Sequence, residues 1–364
     1  MVFDNCMSFH IVPFGDCDLS DTFFDSLRAD YPGFNQWFQT KSNAGYKAYI
    51  DCDENGKLHV FVALKQDPEF EELGVDPVLP PVPRLKISTI KIDESFSGQR
   101  LGEGAMGIAL WTWARSKERQ IYVTTFKKQK SLIQLLEKFG FKNVTRLVNG
   151  ELVYLRDKED VDYSDPRKSF PYINPRFPKA KYLPIKDIFH DSMFQYSDLK
   201  GVIKQEYSLP VSNGITKIYI AAPITKLSYS EGDLVFIYRM YTGDGPKKYK
   251  SAVTSYCTVG KVIPIVHNKE IIVPFEKYRD MVGNKSVYPD ELIEDIFNRE
   301  KNVYLIELIY NGYFGTGNNI NLDTLRKNGL WNDNIHPYDS LLSREQVQKI
   351  FTLGNCDVQN ININ

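Results

Sequence analysis

Residues 98–114 read GQRLGEGAMGIALWTWA. A glycine-rich loop runs directly into an apolar, helix-forming stretch. The residues before it, LKISTIKI (85–92), alternate like a strand. Strand, glycine loop and helix together make a cradle for phosphate. The first amides of a helix lack intrahelical partners and sit at the positive end of its dipole, and small residues let an anion approach them. The P-loop pattern GxxxxGK[ST] is absent. GEGAMG (102–107) has GxGxxG spacing, but it follows roughly the fourth strand and its glycines lie within the helix. A different pyrophosphate binder is therefore expected.

Working outward, SFHIVPF (8–14) suggests a first strand. DLSDTFFDSLRADY suggests a helix capped by Asp18 or Ser20, and GFNQWFQTKSNAG a second helix. The runs flanking Asn55-Gly56 predict a hairpin, since both turn residues tolerate positive φ. VDPVLPPVPR is a proline-rich connector. The glycine loop then opens a helix over about 102–117, followed by a strand at 120–125, an amphipathic helix at 130–141 and a strand at 150–157. These lengths predict an α/β (α+β) mixed sheet flanked by helices over 1–157. Prolines interrupt 158–184, which reads as a linker. Over 185–364, strand-like runs separated by Gly, Asp and Ser turns predict a second domain, a small β-barrel with short helices near 274–298 and 343–352.

A chain of 364 residues suits two domains. Apolar (42%) and charged (25%) fractions are ordinary, and the net charge of −1 makes no case by itself for nucleic acid or membrane. The five cysteines form no CxxC pair, so no metal site is expected. Their odd number and the lack of a signal-like start suggest the cytoplasm, and no apolar run approaches membrane-spanning length.

Gln99-Arg100-Leu101-Gly102-Glu103-Gly104 matches Q/R-x-x-G-x-G/A, and LLEKFGF (135–141) is similar to LYEKxGF. Both, with the order of elements over 8–157, resemble the GNAT N-acetyltransferase superfamily. The resemblance implies an acetyl-CoA site built from Gln99, Arg100, Leu101, Gly102, Glu103 and Gly104, with Gln129 at the family's asparagine position. It also implies a backbone donor for the thioester carbonyl near Ile90, Lys91 and Ile92, in a strand that splays from its neighbour at 120–125. Base candidates are Glu94 and Asp93 at the strand end. Glu103 is expected to face solvent, because a carboxylate repels pyrophosphate, and His59 reads as a half-buried strand residue. The family's thiolate-protonating tyrosine aligns with Leu136, which cannot donate a proton, so another tyrosine, water or bulk solvent would serve.

In the second half, SEGDLVFIYRM (230–240) and YCTVGKVIPIV (256–266) resemble the PUA-like fold, in particular its EVE and ASCH-type relatives. That resemblance implies a reader of RNA or modified nucleic acid. Tyr238, Arg239, Tyr241, Lys247, Lys248, Tyr249 and Lys250 interleave aromatic and basic residues as such a surface would, with Lys217 and Tyr219 nearby; an ordinary hairpin with a lysine-protected edge is the alternative. The two-part combination resembles a group of bacterial and phage proteins, some near toxin–antitoxin loci. The expected function is acetyl transfer from acetyl-CoA to an amine, guided to RNA, tRNA included. The alternatives are a non-catalytic CoA- and nucleic-acid-binding protein, or a protein or small-amine acetyltransferase with a docking barrel. Oligomeric state stays open, a homodimer included.

Overall fold

The computed structural model describes residues 9–53, 55–67, 72–96, 98–194, 196–197, 199, 209–224 and 226–356, apart from the side chains of Asp67 and Glu94. The chain divides into two compact units, Met1–Val161 and Asp162–Asn364.

The first unit is a mixed sheet with helices. In chain order its elements are β1 (His10–Pro13), α1 (Asp25–Asp30), α2 (Phe34–Asn43), β2 (Lys47–Cys52), β3 (Leu58–Asp67), β4 (Arg84–Ile92), α3 (Leu101–Arg115), β5 (Gln120–Thr125), α4 (Lys130–Lys138), β6 (Lys142–Arg146) and β7 (Leu152–Asp157). The strand order is β1-β2-β3-β4-β5-β7-β6. Neighbours are antiparallel except β4 and β5, whose parallel pairing needs a crossover, and α3 supplies it.

Two cores lie on opposite faces of this sheet. On one, Phe14, Phe24, Phe34, Phe38 and Phe61 pack with α1 and α2 in mostly tilted or edge-to-face pairs 5.0–6.0 Å apart. Each such ring contributes about 1.5–3 kcal/mol by burial. On the other face, Leu101, Ala105 and Ile108 of α3 meet Val60, Val62 and Ile90. Gly104, Ala105, Gly107 and Ala109 are buried, and their small size suits a helix lying close against strands.

The first helix is capped at Asp21, not at Asp18 or Ser20. Asp18 already accepts from the Ser20 amide and hydroxyl, while Asp21 Oδ1 accepts from Phe23 N at 2.8 Å and opens a 3-10 turn leading into α1. The hairpin turn closes with Gly56 at φ +79. Strand β6 adds to the expected order; its sequence KNVTR is polar because it is an edge strand with a single neighbour.

The second unit contains α5 (Pro166–Ser169), β8 (Ala180–Lys186), α6 (Asp187–Met193), α7 (Pro210–Asn213), β9 (Thr216–Ala221), β10 (Leu234–Met240), α8 (Lys247–Lys250), β11 (Ala252–His267), β12 (Glu270–Ile271), α9 (Phe275–Val282), α10 (Asp290–Arg299), β13 (Val303–Tyr313), β14 (Ile320–Asn321), α11 (Leu322–Lys327) and α12 (Arg344–Leu353). Its sheet runs β8-β10-β11-β13-β9, with β12 and β14 pairing onto β11. Among the described residues this path is open, with β8 and β9 at its ends, so the expected closed barrel is a mixed sheet instead. The long strand β11 carries β10 along its first half and β13 along most of its length, with register shifts that bend such ladders.

The stretch read as a linker also differs. Phe170, Tyr172, Ile173 and Phe177 are buried, and β8 begins at Ala180 and pairs in parallel with β10. Prolines broke the periodicity, but the aromatic residues between them supply the apolar surface that ties this strap down.

Candidate functional site

The site lies in the first unit, where β4 and β5 part. They pair from Arg84–Gln120 to Ile87–Val123 and no further. Beyond that point β4 stays with β3 as far as Ile92, and β5 stays with β7 as far as Thr125. A register shift in β3–β4 singles out Ser88, whose hydroxyl donates to the Ala63 carbonyl at 3.0 Å. The bulge bends β4 where the separation begins. The edge amides of β4 beyond Ile87 thus face a cavity of about 870 Å³. Ile90, Lys91 and Ile92 line one wall, Thr124 and Thr125 another, and Gly98, Arg100, Leu101, Gly102 and Glu103 the third.

The turn before α3 gathers hydrogen-bond donors at a helix start. Arg100 takes a left-handed conformation, φ 59, and begins the helix. Its carbonyl accepts from the amides of Glu103 and Gly104. The amides of Leu101 and Gly102 are the first two of the helix and have no intrahelical partner. The Arg100 side chain is 6% exposed, and its Nη2 donates to Glu103 Oε2 at 2.5 Å. Its Nη1 is buried with no hydrogen-bond partner among the described residues. Such a donor costs free energy until something accepts from it. A Cβ on Gly102 would only touch Leu135 and Ile92 at 3.4 and 3.5 Å.

Glu103 does not face solvent as expected. It is 11% exposed and its Oε1 takes the Lys138 ammonium at 2.5 Å, so two cations neutralise it and it orients Arg100. Gln99 is exposed beside the turn, and Gly104 is buried in the helix. Gln129 lines the cavity and its Nε2 donates to Asp30 Oδ2 at 2.9 Å.

The base candidates separate. Asp93 lines the cavity, but the Ser95 hydroxyl and amide donate to its Oδ1 at 2.7 and 2.9 Å. The Ser95 hydroxyl above all holds the carboxyl below its usual range, which makes it a poor base at neutral pH. The Glu94 side chain lies outside the described residues. His59 is buried rather than half-buried: it is 7% exposed, faces Asp51 Oδ2 at 3.0 Å and stacks on Phe96.

Leu136 is wholly buried and forms no part of the cavity wall. The face of α4 turned to the cavity carries Ser131, Leu132 and Leu135. The cavity does hold a tyrosine from elsewhere. Tyr31, ending α1, donates its hydroxyl to Glu151 Oε1 at 3.1 Å. Glu151 is 5% exposed, and its Oε2 accepts from Asn149 Nδ2 at 2.9 Å. Burial, then the Glu151 carboxylate and its hydrogen bond, push the Tyr31 hydroxyl well above its ordinary value. No motif flags either residue; the sole local sign is a carboxylate placed between the Asn149-Gly150 turn and a buried strand.

In the second unit the structure sorts the nucleic-acid candidates. Tyr238 is 4% exposed with its ring centroid 4.6 Å from that of Trp331, and Arg239 is 3% exposed. Arg239 grips Asp191 through Nε and Nη2, both at 2.7 Å, and donates to the Lys250 carbonyl. Neither presents a surface, because β10 is an inner strand between β8 and β11 with both faces covered. Lys217 is fully buried against the carbonyls of Val211 and Gly214, and burial pushes the Tyr219 hydroxyl up to about 12. Tyr241 is half-buried and accepts from Lys250 Nζ at 3.0 Å. Lys247, Lys248 and Tyr249 are exposed, with Lys248 Nζ 4.7 Å from the Tyr249 ring centroid.

Among the described residues no cluster could hold a metal ion, and no helix is long and apolar enough to cross a membrane. No family model matches the chain, and no curated protein matches it in sequence. Solved structures are similar to parts of it. ASCH from Zymomonas mobilis is 16% identical with a TM-score of 0.30, over 48% of this chain and 95% of that one. NAA60 from Arabidopsis thaliana, solved with a bisubstrate analogue, is 14% identical with a TM-score of 0.29, over 41% and 95%. A chain of the NatC complex bound to Gag peptide and CoA is 16% identical with a TM-score of 0.27, over 41% and 96%.

Proposed function

We propose that the first unit is an N-acyltransferase that takes its acyl group from acetyl-CoA. The observation that carries the reading is the buried Arg100 Nη1, left without an acceptor at the mouth of the cavity that opens where β4 leaves β5. A diphosphate would satisfy it together with the free amides of Leu101 and Gly102. When bound there, acetyl-CoA supplies a thioester carbonyl carbon for an amine to attack and departs as the thiol. The Ile90–Ile92 edge of β4 offers backbone donors for the carbonyl oxygen, and fixed donors of this kind contribute about 10²-fold or more.

Proton handling falls to Tyr31 and Glu151. Glu151, held in place by hydrogen bonds from Asn149 and Tyr31, accepts the proton that the amine must lose, directly or through the tyrosine hydroxyl. Tyr31 stays protonated at neutral pH and can donate toward the leaving sulfur. Asp93 and Glu94 at the end of β4 are the second choice for the base.

The second unit, on this reading, binds RNA or modified nucleic acid, tRNA included, and brings an amine carried by it. Support comes from the exposed Lys247, Lys248 and Tyr249, two phosphate-binding charges beside a ring on which a base can stack. Calorimetry with acetyl-CoA tests the first part. Micromolar binding that Arg100→Ala weakens at least tenfold is expected, and no binding by the wild-type chain would refute it.

A further inference from the structure

Three segments far apart in sequence meet at the cavity: the end of α1, the loop between β5 and α4, and the residue before β7. They contribute Asp30, Tyr31, Gln129 and Glu151 to its lining. Asp30 is the last residue of α1 and joins the first two segments. Its Oδ1 accepts from Lys128 Nζ at 2.5 Å and its Oδ2 from Gln129 Nε2 at 2.9 Å, across 98 and 99 positions. The two donors are consecutive residues of a turn, which the Gln129 amide closes onto the Phe126 carbonyl at 2.9 Å. The next residue, Tyr31, makes the same connection through its ring, whose centroid lies 5.6 Å from that of Phe126 at a tilt of 35°.

Helix preference does not explain a carboxylate here. The C-terminal end of a helix carries partial negative charge, which disfavours an acid. Nor does the ion pair add much stability, because the Lys128 side chain is 62% exposed and water screens it. What the contacts supply is geometry. Each oxygen of Asp30 has its own donor, so the carboxylate is held in one orientation. The backbone that follows is fixed as well: the Tyr31 amide donates to the Leu27 carbonyl at 2.9 Å, and its carbonyl accepts from Phe34 N at 3.0 Å. From there the side chain reaches Glu151 Oε1 at 3.1 Å. A helix of six residues is too short to keep its own end rigid, so that reach depends on what anchors the end.

We propose that Asp30 is a positioning residue for proton transfer: by clasping Lys128 and Gln129 it fixes the end of α1, and so keeps the Tyr31 hydroxyl on Glu151 inside the cavity. Its part in catalysis rests on the acyltransferase reading; the placement of Tyr31 does not.

The test uses the full chain with a carbon-13 label at the tyrosine Cζ, the Tyr31 signal being assigned by its loss in Tyr31→Phe. Glu151→Gln replaces a carboxylate acceptor by a neutral amide and should move that signal in the otherwise wild-type chain. In Asp30→Ala the same change should move it by no more than about a third as much, and in Asp30→Asn, which keeps an acceptor for Gln129, by an intermediate amount. Equal movement with and without Asp30, or none in the wild type, overturns the inference. If Asp30→Ala does not fold, Lys128→Ala, at an exposed position, carries the comparison. Calorimetry with acetyl-CoA on the same proteins keeps the two questions apart. No binding by the wild type strikes the acyltransferase reading and leaves the Tyr31 signal to decide the placement. With ethanolamine as the amine and thiol release followed, Asp30→Ala should lower kcat about tenfold where Tyr31 is present and less than about twofold in Tyr31→Phe. Equal losses in the two backgrounds overturn the catalytic role.

Discussion

The Tyr31 hydroxyl donates to Glu151 at 3.1 Å, joining the end of α1 to the residue just before β7. This places a buried carboxylate and a strongly protonated phenol in one cavity. Glu151→Gln keeps a hydrogen-bond acceptor for the tyrosine and removes the base. We expect it to lower kcat by about 10²-fold with CoA affinity unchanged. Tyr31→Phe should cost less if water can replace the hydroxyl. Because burial and then Glu151 raise the tyrosine's pKa above its usual value of about 10, the rate should not fall through tyrosine ionisation below that pH. Initial rates of thiol release between pH 6 and 10 check both points, and a wild-type rate for Glu151→Gln removes it from the mechanism.

The turn at Gly102 separates folding from binding. A methyl group there meets Leu135 and Ile92 only at ordinary contact distance. Gly102→Ala should therefore fold at least as well as the wild type and gain up to about 1 kcal/mol from helix propensity. Gly102→Glu places a carboxylate where the diphosphate would lie and should abolish CoA binding. Melting temperature and calorimetry on the two variants give the comparison. Equal CoA affinity in both would mean that the anion does not sit at this turn.

Much of the first unit was legible because its signals are local. The β-branched alternation of 85–92 and the small-residue helix after it announce β4 and α3. The parting of the strands is not local, since it depends on β5 leaving β4 after Val123 and on the bulge at Ser88. Tyr31 and Glu151 meet across 120 positions, which no spacing rule reaches. Arg239 misled for the opposite reason: a charged residue in a strand suggests exposure, but Asp191 pairs with it inside the unit. Leu136 followed from aligning a motif, while the cavity takes its tyrosine from another element.

The surface candidates of the second unit can be told from the core ones. Lys248→Ala/Tyr249→Ala touches two exposed residues and should leave stability within about 0.5 kcal/mol. If this face binds RNA, the variant should weaken tRNA binding and reduce the salt dependence of log K by roughly one. Tyr238→Ala removes a core ring beside Trp331 and should cost about 3–5 kcal/mol, losing binding only by unfolding. Salt-dependent binding and denaturant melts tell the two apart. Unchanged affinity in the double variant would exclude the surface.

Asp191 gives the second unit an acid-sensitive lock. Burial opposes its charge, yet hydrogen bonds from Arg239 and His190 outweigh that and hold its carboxyl well below the ordinary value. A folded-state pKa below the unfolded one means the unfolded chain binds the proton more readily. The stabilisation is therefore complete above the unfolded value of about 3.9 and is lost as pH falls below it. His190, 1% exposed, also contacts the Thr254 hydroxyl at 2.7 Å, so the network ties α6 to β11 as well as to β10. Asp191→Asn leaves the buried Arg239 guanidinium with only the Asp187 carboxylate, 3.8 Å away, as counter-charge and should cost about 1–3 kcal/mol at pH 7. Between pH 5 and 3 the wild type should lose stability more steeply than the variant, so the gap between them should narrow. Urea melts across that range measure it. Parallel slopes for the two proteins would show that this carboxylate is not what makes the unit acid-sensitive.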